Sequence, residues 1–214
     1  RLAGLSSGVV WAAVKGGRML APLDDHVGRA AFFMGDLDPK LSWVIDRTVE
    51  PGDHALDIGA NLGLVTLRLS AMCGPSGRIH AFEPNPAIQP MLRATLAANP
   101  QAPATLHPFA LGPEPGTLTL HVPEGNLGAG TLARSGPGRT WEVPVRPLDV
   151  CAAEIGIERA DFVKIDVEGF EEGVLAGARE TLARLRPRIC VIEEHRPLTP
   201  TLPPALSQLS DLGY

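Results

Sequence analysis

The sequence predicts an α/β fold, a mostly parallel twisted sheet with helices on both faces. From His54 onward, short apolar runs alternate with longer helical patterns, as parallel strands joined by crossover helices require. The first strand-to-helix junction carries two spaced glycines, Leu56-Asp-Ile-Gly-Ala-Asn-Leu-Gly63. A chain of 214 residues, 44% hydrophobic, is long enough to bury one substantial core around such a sheet.

Gly8 to Met34 reads as short strands broken by Gly16-Gly17 and by the acidic turn Leu23-Asp24-Asp25. Asp38-Pro39 opens a helix with Leu41, Val44, Ile45 and Val49 on one face, and Pro51-Gly52-Asp53 stops it. His54 to Ile58 is a short buried strand and Leu62 to Met72 a helix ended by Gly74-Pro75. Arg78 to Phe82 and Pro86 to Ala98 repeat the unit, and Thr105 to Phe109 makes a third strand. Asp161 to Ile165 is a fourth strand, followed by one helix from Glu171 to Leu185, and Arg188 to Ile192 is a fifth. Between Gly112 and Pro147 the rhythm breaks. Thr117 to Val122 and Thr140 to Val145 read as an inserted hairpin, whose Gly-rich loop Pro123 to Gly130 either covers a site or is a plain surface loop. Residues 1–50 are thus an N-terminal extension, suited to a lid, and 51–214 the main domain.

The net charge is −5, and the only lysines are Lys15, Lys40 and Lys164, which argues against nucleic acid as a partner. No apolar run approaches the roughly 20 residues that cross a bilayer, so no membrane partner is expected. Cys73, Cys151 and Cys190 lack metal-site spacing and read as buried thiols of a reducing, cytoplasmic compartment. Homo-oligomerisation is left open.

Ligands of parallel sheets bind at the carboxyl ends of the strands, where four motifs fall. At the first, Gly59 allows close backbone approach and Gly63 close helix packing. The helix-start amides suit a carboxylate, and Asp57 suits a ligand ammonium or hydroxyl. The second, Ala81-Phe-Glu83-Pro84-Asn-Pro86, ends a strand in an acid placed to hold both hydroxyls of a ribose. A pyrophosphate binder needs glycine where Asn61 stands, so S-adenosylmethionine is favoured over NAD. The alternative is a structural glycine turn with a capping Glu83. The third, Phe162-Val-Lys-Ile-Asp166-Val-Glu168-Gly-Phe-Glu171, places Asp166 at the sheet edge as a general base or a ligand of a hard divalent cation. Glu171 reads as helix-start chemistry. The fourth, Val191-Ile-Glu193-Glu194-His195, faces the same crevice, with His195 able to take a proton near neutral pH.

In this order the motifs resemble the FkbM-type methyltransferase family, over His54 to Tyr214. The segments are LDIGANLG from Leu56, GRIHAFEPNP from Gly77, PFALG from Pro108, VPVRPLD from Val143, DFVKIDVEGFEEGVLAGA from Asp161 and RPRICVIEEH from Arg186. The resemblance implies a Rossmann-like class I methyltransferase sheet and S-adenosylmethionine-dependent O-methylation of hydroxylated small molecules such as sugars and polyketides. It implies that Asp57, Gly59, Ala60 and Asn61 line the methionine part and that Glu83 and Pro84 line the ribose. Asp166, Glu168, Glu194 and His195 surround the acceptor, with Asp166, His195 or Glu194 catalytic. A metal-assisted version sets Asp166, Glu193 and Glu194 around a magnesium-like ion. The chain departs from the family by stopping at Tyr214 before the closing antiparallel strand pair, so an open sheet edge is expected. Competing readings are methylation of nitrogen or carbon, an NAD-dependent oxidoreductase, disfavoured because Tyr214 is the only tyrosine and no Tyr-x-x-x-Lys exists, and a silent cofactor-binding protein.

Overall fold

The computed structural model describes residues 8–194 and 202–214. Its centre is a five-stranded parallel sheet built from β3 (His54–Ile58), β4 (Arg78–Phe82), β5 (Ala104–His107), β9 (Phe162–Ile165) and β10 (Ile189–Ile192), in the order β10-β9-β3-β4-β5. All five expected strands are present. The order runs outward from β3 in one direction and returns through β9 in the other, which opens a crevice above their carboxyl ends.

Alternation along the strands supplies both faces of the core. Leu56, Ile58, Phe82, Val163 and Ile165 pack under α5 (Leu148–Cys151), α6 (Glu171–Ala176), α7 (Arg179–Leu185) and α8 (Pro204–Asp211). Ala55, Ile79 and Phe162 face the opposite way, with Ile45 of α2 (Pro39–Thr48) and Leu69 and Cys73 of α3 (Leu64–Cys73). The sheet therefore has helices on both sides, as the α/β reading expects. The helix expected over 171–185 is broken at Gly177-Ala178. A Cβ on Gly177 would lie 1.9 Å from the Gly112 carbonyl oxygen, so this close crossing forbids a side chain, and α7 restarts with Asp149 accepting from the N–H groups of Glu180 and Thr181.

The stretch Gly8 to Met34, expected as short strands, departs from that reading. β1 (Val9–Val14) and β2 (Gly17–Pro22) form the expected hairpin, but His26–Met34 is a helix, α1. Asp25, read as part of a turn, is its N-cap, with Oδ1 accepting from Val27 and Gly28 N–H, and Gly35 ends it at φ 69°. Met19, Leu20, Val27 and Ala31 share one apolar cluster with Leu62, Leu67, Ile88 and Met91, the last two lying at and within α4 (Gln89–Ala97). The inserted hairpin is β7 (Gly116–Val122) against β8 (Arg139–Arg146), with β6 (Ala110–Leu111) added parallel to β8. Among the described residues no helix is long and apolar enough to cross a membrane.

Candidate active site

A cleft of about 680 Å³ opens above the carboxyl ends of β3, β4 and β9. Its floor is the turn Gly59-Ala60-Asn61. One wall carries Glu83, Pro84 and Asn85, and the other Asp166, Glu168, Glu193 and Glu194. The extension contributes His26, Val27, Asp36, Leu37, Asp38 and Ser42, and the hairpin loop contributes Asn126, Leu127, Gly128 and Gly130.

The floor is tightly determined. Gly59 has φ +81°, and a Cβ there would stand 1.8 Å from the Asp166 carbonyl oxygen, so the backbones of the first and third motifs touch. Gly63, expected both to bind the cofactor and to let the helix pack, packs at φ +95° against Leu92 outside the cleft lining, so it is corrected as a cofactor contact. Gly59 and Ala60 N–H both donate to Phe82 O, Gly63 N–H to Ala60 O, Asn61 N–H to Glu83 Oε2 (2.8 Å) and Leu62 N–H to Asn61 Oδ1 (2.7 Å). The expectation that a ligand carboxylate meets amides here is narrowed: those of residues 59–63 are engaged within the protein, and the amides in position for it are those that open α3, at Leu64 and Val65, both in the cleft lining.

Asp57 is also corrected as a direct ligand contact. It is 0% exposed and absent from the cleft lining; its Oδ2 accepts from the Thr66 hydroxyl (2.5 Å), and its Oδ1 lies 3.5 Å from Lys164 Nζ. The ion between the two acidic motifs is Lys164, its neighbour across β3 and β9. Lys164 Nζ donates to Gly59 O (2.6 Å) and lies 3.4 Å from Asp166 Oδ2. Burial works against its charge, but Asp166 and Asp57 prevail and hold its pKa above the ordinary lysine value. The signal for Lys164 was in the sequence: a lone lysine within Phe-Val-Lys-Ile, a strand otherwise apolar, needs a buried partner.

Glu83 stands at 6% exposure with both carboxylate oxygens held by backbone, Oε1 by Asn85 N–H (2.8 Å) and Oε2 by Asn61 N–H. Burial nevertheless pushes its carboxyl up to about 7, against those two amides. Glu171 is buried and accepts from Val167 and Gly169 N–H, shaping the turn beneath Glu168, which has a left-handed backbone at φ 55°. Among the described residues no three His, Cys, Asp or Glu side chains group closely enough to hold a metal ion. Among the described residues Asp166, Glu193 and Glu194 thus do not form the expected magnesium cage, and Lys164 Nζ lies 3.4 Å from Asp166. His195 lies outside the described residues.

The cradle fits S-adenosylmethionine. A buried carboxylate faces a glycine turn whose backbone a ligand can approach, in a cleft of small-molecule size. A model of the Methyltransferase FkbM domain matches residues 57–214. The chain is 28% identical over 176 residues to the 2-O-methyltransferase NoeI of Sinorhizobium fredii, covering 72% of this chain and 71% of that protein. It is 29% identical over 162 residues to the 31-O-demethyl-FK506 methyltransferase FkbM of Streptomyces tacrolimicus, covering 62% of each. A crystal structure of a methyltransferase FkbM from Methylobacillus flagellatus KT superposes with a TM-score of 0.45 and 23% identity, over 63% of this chain and 31% of the other.

Proposed function

We propose that this chain, which belongs to the FkbM methyltransferase family, moves a methyl group from S-adenosylmethionine to a hydroxyl of a small-molecule acceptor. The observation that carries the reading is Glu83, a buried carboxylate fixed by two backbone amides across the cleft from Asp166. Glu83 and Pro84 hold the ribose, and Gly59, Ala60 and Asn61 form the floor under the methionine part. S-adenosylmethionine supplies, when bound, a methyl group already activated on a positively charged sulfur.

The protein then has two tasks, to align the acceptor hydroxyl with that methyl and to remove its proton. Asp166 is our choice of base. Its carboxylate lines the cleft, and its main chain touches the cofactor turn at Gly59. Lys164 fixes Asp166 against the turn, and Glu194, in the same cleft lining, is the candidate for the proton's further acceptor. The names of both curated relatives, a 2-O- and a 31-O-methyltransferase, support oxygen as the atom methylated. The three free cysteines support a cytoplasmic location.

The test is incubation with S-adenosylmethionine and a panel of hydroxylated sugars and macrolides, read by mass spectrometry. Addition of one methyl to an oxygen, abolished in Asp166→Asn, supports the reading. Methylation of nitrogen or carbon only would contradict it.

A further inference from the structure

The loop after β7 is tied down at three places, each on a different part of the cleft. At its middle, Leu127 N–H donates to Asp25 Oδ2 (2.9 Å) and Leu127 O accepts from Asn85 Nδ2 (3.1 Å). Asp25 is 2% exposed and spends its other oxygen on capping α1, so one buried carboxylate joins the extension to the loop. Asn85 is the residue whose N–H holds Glu83. Next along, Gly128 crosses the cofactor turn so closely that a Cβ would meet Asn61 Nδ2 at 2.4 Å and Val27 at 3.2 Å. At the far end Thr131 pairs with His121 through the backbone, and its hydroxyl donates to Glu168 O (2.7 Å).

We infer that Asp25 is a positioning residue for the cofactor, holding residues 123–131 as a strap across the cofactor half of the cleft. The inference rests on the proposed use of Glu83 and the Gly59 turn for S-adenosylmethionine. Nothing else in the strap's path explains a buried carboxylate whose two oxygens serve two segments about 100 residues apart in sequence. The strap leaves the extension, the ribose wall and the Glu168 turn as one connected frame, so the cofactor and its demethylated product exchange only when the Asp25–Leu127 bond opens.

The test measures association and release of S-adenosylhomocysteine by stopped flow, for the whole chain and three variants. Asp25→Ser keeps a helix N-cap but is too short to serve both segments. Leu127→Pro leaves Asp25 and its cap intact and deletes the donor N–H together with the leucine side chain, so Leu127→Ala, which keeps the N–H, is run beside it and should release at close to the wild-type rate. Losing one hydrogen bond to a carboxylate should speed release about tenfold in Asp25→Ser and in Leu127→Pro, with association nearly unchanged. A purely structural role for Asp25 would lower the melting temperature without moving release in Leu127→Pro. Release at the wild-type rate in folded Asp25→Ser or Leu127→Pro overturns the strap. Failure of the wild-type chain to bind S-adenosylhomocysteine overturns the cofactor reading, and the strap with it.

Discussion

Glu83 should make product binding depend on pH near neutrality. Its carboxyl titrates at about 7 because burial outweighs the two amides that favour its charge. A ribose presents two hydroxyl donors, which pair with a carboxylate but not fully with a carboxylic acid, so binding selects the ionised form. About nine-tenths of the free protein has Glu83 ionised at pH 8 and about one-tenth at pH 6, and affinity should weaken about tenfold over that range. The free protein carries the opposite trace. The folded-state value lies above the ordinary 4.5, so the folded chain binds more protons than the unfolded one between pH 4.5 and 7, and stability falls as pH rises through that window. Above pH 7 the full cost is about 3 kcal/mol. Calorimetric titration with S-adenosylhomocysteine at pH 6, 7 and 8, beside thermal melts without ligand, reads both effects. Glu83→Gln should bind weakly with no pH slope, and its melting temperature should lack the fall that wild type shows between pH 4.5 and 7. An equal pH slope in wild type and variant would refute the assignment of the titration to Glu83.

Three other substitutions probe the frame. Asp166→Asn should cut kcat by about 100-fold or more while S-adenosylhomocysteine binding changes little, and undiminished turnover would remove Asp166 as base. Lys164→Met removes the buried cation beside the fully buried Asp57 and should cost about 3–5 kcal/mol in urea unfolding. Adding Asp57→Asn should recover part of that loss; a cost below about 1 kcal/mol would show that the buried ion pair is unimportant. Gly59→Ala drives a methyl group into the Asp166 carbonyl, so S-adenosylhomocysteine binding should vanish in titration, and wild-type affinity would contradict the geometry of the turn.

The sheet was legible because apolar strands and glycine-bounded helices repeat at regular spacing from His54 onward, and local pattern suffices there. Glu83 and Asp166 were legible because strand ends fix where side chains emerge. What escaped was decided by tertiary contact. Asp25 reads as a turn residue unless one sees Val27, Gly28 and Leu127 bring their N–H groups to it. The 171–185 helix reads as continuous until the Gly112 carbonyl presses on Gly177. Asp57 reads as a ligand contact until Thr66 and Lys164 are found to enclose it. The amides of the turn 59–63, which look available before the helix, proved to be bonded to Phe82, Glu83, Asn61 and Ala60. Leu127 lies outside every motif, whereas Lys164, a lone lysine in an otherwise apolar strand, was a readable clue.

The account stands most directly on the identity of the ligand that the Gly59 turn and Glu83 accept. Calorimetric titration of the chain with S-adenosylhomocysteine, and separately with NADH, decides it. The account predicts a single site of about micromolar affinity for S-adenosylhomocysteine, lost in Glu83→Ala, and no heat with NADH. Saturable binding of NADH, or S-adenosylhomocysteine binding that survives Glu83→Ala unchanged, would contradict it.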